Sequence, residues 1–93
     1  MAKDVRVIKP ELDRNHQYAV GVKIAGGGFC PIQSYETREQ IERGFRQWYQ
    51  MACQGGITKP IAVEKKDRGQ EWDGAQCLVL RGLMEKIING LAQ

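Results

Sequence analysis

Tyr35 to Gln54, Y-E-T-R-E-Q-I-E-R-G-F-R-Q-W-Y-Q-M-A-C-Q, followed by Gly55-Gly56, reads as one amphipathic helix and decides the class of fold. Thr37 stands where an N-cap is needed, and Gln40 three residues later completes a T-x-x-Q capping box. Ile41, Phe45, Trp48 and Ala52 recur at helical spacing and form one apolar stripe. On the other side Glu39/Arg43 and Glu42/Arg46 are favourable i,i+4 pairs, and Gly55 can take the left-handed stop position.

Upstream of the helix the period changes from helical to alternating. Gln17 to Ile24 places Tyr18, Val20, Val22 and Ile24 on one face and Gln17, Ala19, Gly21 and Lys23 on the other, the pattern of a half-buried antiparallel strand. Ala25-Gly26-Gly27-Gly28 is a turn, and Phe29 to Ser34 is its return strand. Pro31 predicts that this strand lies at an edge or carries a bulge, because proline supplies no ladder donor. Asp4 to Lys9 is a further short strand candidate ended by Pro10, and Glu11 to His16 reads as a loop.

Downstream, Ile57 to Lys66 contains a strand that starts near Pro60, with Ile61 and Val63 pointing one way. Lys65 to Glu71 reads as a charged loop. From Asp73 the pattern favours a continuous helix capped by Asp73, with Cys77, Leu80, Met84, Ile87 and Leu91 at helical spacing. The rival reading makes Gln76 to Leu80 a strand and starts the helix after Gly82. The whole is expected to be a single α+β domain over residues 1–93, with a three- or four-stranded antiparallel sheet and two helices packed on it. The expected core is Val20, Val22, Ile24, Ile41, Phe45, Trp48, Ile61, Val63, Leu80, Met84 and Ile87.

The bulk properties suit a small globular chain: 42% hydrophobic and 27% charged residues argue against disorder. The start, Met1-Ala2-Lys3-Asp4-Val5, lacks the apolar core of a signal peptide, and no apolar run is long enough to span a bilayer. A cytoplasmic location in a host bacterial cell is expected, with no membrane contact. Three widely spaced cysteines, Cys30, Cys53 and Cys77, fit reduced thiols better than a disulfide framework. A net charge of +3 permits a nucleic-acid partner without requiring one.

No catalytic set stands out. His16 with the three cysteines lacks the short ligand spacing that assembles a zinc site, so no metal and no cofactor are expected. Cys30 has no evident base or orienting group, and the acids Glu36, Glu39, Glu42, Glu71 and Asp73 read as capping and solvated residues. The Gly26 to Gly28 run lacks the Lys-Ser/Thr of a phosphate loop and precedes a strand, which makes it a hairpin tip. An enzyme is therefore not expected. The basic residues Arg38, Arg43 and Arg46 on the helix, with Lys65, Lys66 and Arg68 near the last strand, are the candidate partner contacts. Tyr35, Tyr49 and Trp72 lie near them in sequence and suit base stacking.

A hairpin from Tyr18 running into a helix that opens E-T-R-E-Q-I-E at Glu36 to Glu42 resembles the small phage-encoded anti-CRISPR proteins that inhibit type I surveillance complexes. The resemblance covers Tyr18 to Trp48. It implies a non-catalytic inhibitor that docks on Cas subunits, or on the CRISPR RNA they hold, and blocks target DNA. Two further readings stand beside it. One is a small domain that binds RNA or DNA directly. The other is a homo-oligomeric accessory protein that uses the broad apolar surface of the last helix, where Leu78, Val79, Leu83 and Ile88 widen the stripe. A monomer or weak homo-oligomer is expected.

Overall fold

The capping box forms as its residues require. The structure, a computed structural model, describes residues 11–56 and 58–92. Thr37 Oγ1 accepts the Gln40 backbone N–H at 3.2 Å, and Gln40 Oε1 accepts from the Thr37 N–H at 3.4 Å and the Glu36 N–H at 2.9 Å. The helix that follows runs Arg38–Gly55. Its left-handed stop is Gly56 (φ 69°), whose N–H closes on the Ala52 carbonyl, so the expected stop at Gly55 moves on by one residue. The i,i+4 pairs do not close: among the described residues the ion pairs are Arg14–Glu71 and His16–Asp13.

In chain order the elements are β1 (Tyr18–Lys23), β2 (Phe29–Tyr35), α1 (Arg38–Gly55), β3 (Ile61–Lys65), β4 (Cys77–Val79) and α2 (Arg81–Leu91). The fold is α+β. Its four strands form one antiparallel sheet in the order β2-β1-β3-β4. The strand candidate Asp4–Lys9 lies outside the described residues. Pro31 meets both of its expectations: β2 is an edge strand in that order, and its register with β1 slips at Val20/Gly21, leaving Ile32 as the extra residue of a bulge.

Both helices pack on one face of the sheet, where Val20, Ala62, Ile41, Phe45, Leu83 and Ile87 form the main core. Tyr18, Tyr35, Trp48, Leu80 and Met84 are half-buried around it. Helix α1 can come close because Gly44 has no side chain; a Cβ there would overlap the Tyr35 ring. Ile24 is corrected: it lies past the end of β1 and is 51% exposed. The Gln17 to Ile24 strand is also not half-buried, since Ala19 on its second face is as inaccessible as Val20 on its first.

The region after Asp73 follows the rival reading. Residues 77–79 are a strand, and the helix starts at Arg81, just before Gly82. Asp73 sits in a turn and caps nothing, and the first residue before α2 is Leu80, without a side-chain cap. The periodicity of Cys77 to Leu91 is real, but its first turn is diverted because β3 offers unpaired backbone. The Leu80 N–H donates to the Ala62 carbonyl at 2.9 Å, a ladder bond that a helical turn would forgo.

Two glycines separate packing from propensity. A Cβ on Gly21 would run into the Cys30 carbonyl and the Phe29 ring, whereas one on Gly82 meets nothing. Gly21→Ala is expected to destabilise the fold by about 1–3 kcal/mol. Gly82→Ala is expected to stabilise it by up to about 1 kcal/mol, since a helical glycine costs that much relative to alanine. Urea unfolding of both variants checks the opposite signs.

Candidate functional site

The face of the sheet turned away from the helices carries Ala19 and Gly21 of β1, Phe29 and Pro31 of β2, Ile61, Val63 and Lys65 of β3, and Cys77 and Val79 of β4, as the cross-strand registers require. Among the described residues no helix covers this face. Its cover is Trp72, 5% exposed, which packs with Ala19 and Val63 into a second cluster edged by Phe29, Ile61, Ala75 and Cys77.

Trp72 is held by Lys65. Alternation along β3 places Lys65 on the same face as Ile61 and Val63, and it is 1% exposed. Its ammonium donates to the Arg14 carbonyl at 2.7 Å and the Gln70 carbonyl at 2.6 Å, and stands 4.6 Å from the centre of the Trp72 ring. Those contacts replace water for a charge that has no carboxylate at ion-pair distance among the described residues. Trp72 Nε1 in turn donates to the Asp13 carbonyl at 2.9 Å. Burial pushes the Lys65 pKa below its ordinary 10.5; Cys77 and Asp13 oppose the shift and Arg14 adds to it.

The same knot orders the segment before β1. Ser34 Oγ accepts the Asp13 N–H at 2.8 Å and lies 2.7 Å from His16 Nδ1, while His16 Nε2 is 3.9 Å from Asp13 Oδ2. A serine, a histidine and an aspartate thus meet, but Ser34 is 6% exposed and its oxygen already accepts a backbone N–H. Attack on a carbonyl needs an accessible Oγ and a base aimed at it. The cluster is a clip that fastens residues 13–16 to β2.

Between Trp72 and the hairpin tip the uncovered part of this face forms a groove of about 670 Å³. Phe29, Ile61, Val63, Cys77 and Val79 floor it, and Leu12 and Ile24 stand at its rim with Lys23. Cys30 and Cys77 both line the groove, yet they come from the first and last strands of the sheet order. Burial pushes the Cys77 thiol above its ordinary pKa, with Lys65 opposing, which keeps it protonated and unreactive. Among the described residues no group of three His, Cys, Asp or Glu is placed to hold a metal ion. No helix among them is long and apolar enough to cross a membrane.

The candidate contact residues do not form one patch. Arg38, Arg43 and Arg46 are exposed along α1, and no carboxylate lies at ion-pair distance from them among the described residues. Lys66 and Arg68 are exposed in the loop after β3, whose Trp72 folds onto the opposite face. Lys65 is corrected: it is core, and unavailable to a partner. Trp72, expected near a stacking surface, is core as well. The signal that could have found this pair was the i, i+2, i+4 phase of Ile61, Val63 and Lys65.

Compared with known protein families, curated proteins and solved structures, the chain matches none of them.

The Lys65–Trp72 pair makes two predictions. Trp72→Ala is expected to cost about 3 kcal/mol or more in urea unfolding, where a surface aromatic would cost roughly 0.5 or less. For Lys65 the folded pKa lies below 10.5, so between the two values the unfolded chain holds a proton that the folded chain has released. Stability owed to this group therefore rises as pH climbs through that window and falls as pH drops through the folded value. The unfolding free energy of wild type relative to Lys65→Met is expected to improve from neutral pH to pH 10.5. A difference that stays constant would mean that the carbonyl acceptors fully offset the cost of burying the ammonium.

Proposed function

We propose that this chain is a non-catalytic binding protein of phage or mobile-element origin that docks on a bacterial nucleoprotein and obstructs it. The target proposed is a type I CRISPR surveillance complex, met at its Cas subunits or CRISPR RNA so that target DNA is blocked. The resemblance of Tyr18 to Trp48 names that target. The observation that carries the binding reading is the set of exposed arginines on α1. A helix fixed at both ends by its caps presents Arg38, Arg43 and Arg46 to solvent, with no intramolecular ion pair among the described residues to release first. Arginine in that state suits phosphate or carboxylate recognition, since its fork of donors can bond both oxygens of such a group. Lys66 and Arg68 extend the reading to a second contact across the sheet.

Direct binding of bare RNA or DNA is the weaker alternative. Its stacking platform included Trp72, and that ring is occupied by Lys65 and buried. Tyr35 is half-buried, with its ring against Gly44.

The test is capture of a type I complex from bacterial lysate on the tagged protein, with nuclease treatment. Cas subunits retained after nuclease are the expected result. Charge reversal of Arg38, Arg43 and Arg46 together, or of Lys66 and Arg68 together, is expected to lower retention about tenfold or more while leaving the melting temperature unchanged. Retention that survives both reversals sinks the contact assignment. Nucleic acid alone, lost on digestion, transfers the case to direct binding, and an empty capture removes the CRISPR target.

A further inference from the structure

The two edges of the sheet are unlike. At the β2 edge Pro31 lacks a donor, Ile32 bulges, and Glu11 has already taken the Ile32 carbonyl at 2.8 Å and the Ser34 N–H at 3.1 Å. Edge strands in soluble proteins are guarded by such devices, because unpaired backbone recruits other strands. Among the described residues the β4 edge has none of them. Cys77-Leu78-Val79 contains no proline, charge or register slip.

The ladder bonds identify which groups on that edge are open. Lys66 N–H donates to the Gln76 carbonyl and Leu80 N–H to the Ala62 carbonyl, each at 2.9 Å. Antiparallel pairs alternate between bonded and non-bonded, so Leu78 bonds to Glu64, while Cys77 and Val79 stand in the non-bonded positions opposite Lys65 and Val63. The N–H and C=O of Cys77 and Val79 therefore point away from β3. The helix layer also stops short: among the described residues β4 packs against β3 and no other element. Leu78 is left 53% and Val79 45% exposed.

We propose that the β4 edge pairs antiparallel with β4 of a second copy of this chain, about a two-fold axis through Leu78. Cys77 of each copy then faces the other's Val79, and the pair exchanges N–H···O bonds on both sides of the axis. Leu78 meets its own equivalent in the close non-bonded position, where cross-strand side chains touch. The open backbone groups favour this occupant, because those of Cys77 find their complement in those of Val79 on a copy of the same edge, and charge does not oppose it. The register sets Gln76 opposite Leu80 and Ala75 opposite Arg81, so no like charges meet and the two Arg81 residues lie at opposite ends. The helices of both copies fall on one face of the joined sheet, and the grooves adjoin on the other.

Sedimentation equilibrium over a concentration series tests the pairing with wild type and Val79→Pro. The Val79 N–H is not used within its own sheet, so proline removes the outward donor and spares the ladder to β3. Wild type is expected to dimerise, and Val79→Pro to raise the dissociation constant about tenfold or more. A second variant covers the case in which proline disturbs the fold. In a Cys30→Ser, Cys53→Ser background, Leu78→Cys is expected to give a reducible covalent dimer on mild oxidation, because non-bonded antiparallel partners lie within disulfide reach. Ile24→Cys, on an equally exposed residue, is expected to give none. A wild type that stays monomeric overturns the proposal and leaves the edge to a strand of another protein. So does a dimer that Val79→Pro leaves intact, or a Leu78→Cys protein that links no faster than the Ile24→Cys control.

Discussion

A lysine ammonium with almost no access to water must find its acceptors inside the protein, and Lys65 finds them on chain segments that are distant in sequence. The Arg14 and Gln70 carbonyls and the Trp72 ring satisfy it together. Each belongs to a connection that would otherwise lie free on the surface: the approach to β1 and the long loop between β3 and β4. Leaving one acceptor out would strand a buried charge, which costs more than the contacts themselves contribute. The charge therefore acts as a specificity device. It fixes where two loops go, and through Trp72 it closes one end of the sheet face turned away from the helices.

That arrangement divides the sheet into two unequal sides. The helix side is an ordinary core, with α1 brought close to Tyr35 by the missing side chain of Gly44. The other side is a small cluster under Trp72 that opens into an apolar groove. Gly21 serves this side as Gly44 serves the other, since a Cβ there would run into the Phe29 ring. The strand order adds a further inequality. One edge is blunted by Pro31, a bulge and Glu11, while the other ends in three uncharged residues.

These inequalities bear on what a protein of this size can do. Three surfaces are open on it: the α1 arginines, which have no ion pair among the described residues, the apolar groove, and the β4 edge. A rigid scaffold presenting separate anchors suits docking on an assembly with several components. Pairing through β4 would leave the α1 arginines uncovered in each copy, so binding and self-association do not compete for the same residues.

The sequence by itself determined α1 to within a residue at its end, because caps and stripe are local: Thr37, Gln40, Ile41, Phe45 and Ala52 lie within a few turns of one another. It also determined the hairpin, and narrowed β2 to an edge strand or a bulged one, because alternation and Pro31 are local as well. Tertiary structure decided what happens to Cys77, Leu78 and Val79. Their apolar run serves a helix or a strand equally, and only the open backbone of β3 selects the strand. It also decided the fate of Lys65 and Trp72, which composition alone assigns to a charged, aromatic surface. Their burial depends on carbonyls from Arg14 and Gln70 and on the Asp13 acceptor, groups that converge only when the sheet has formed. A side chain's environment is set by neighbours distant along the chain, and no pattern within a strand records which neighbours those will be.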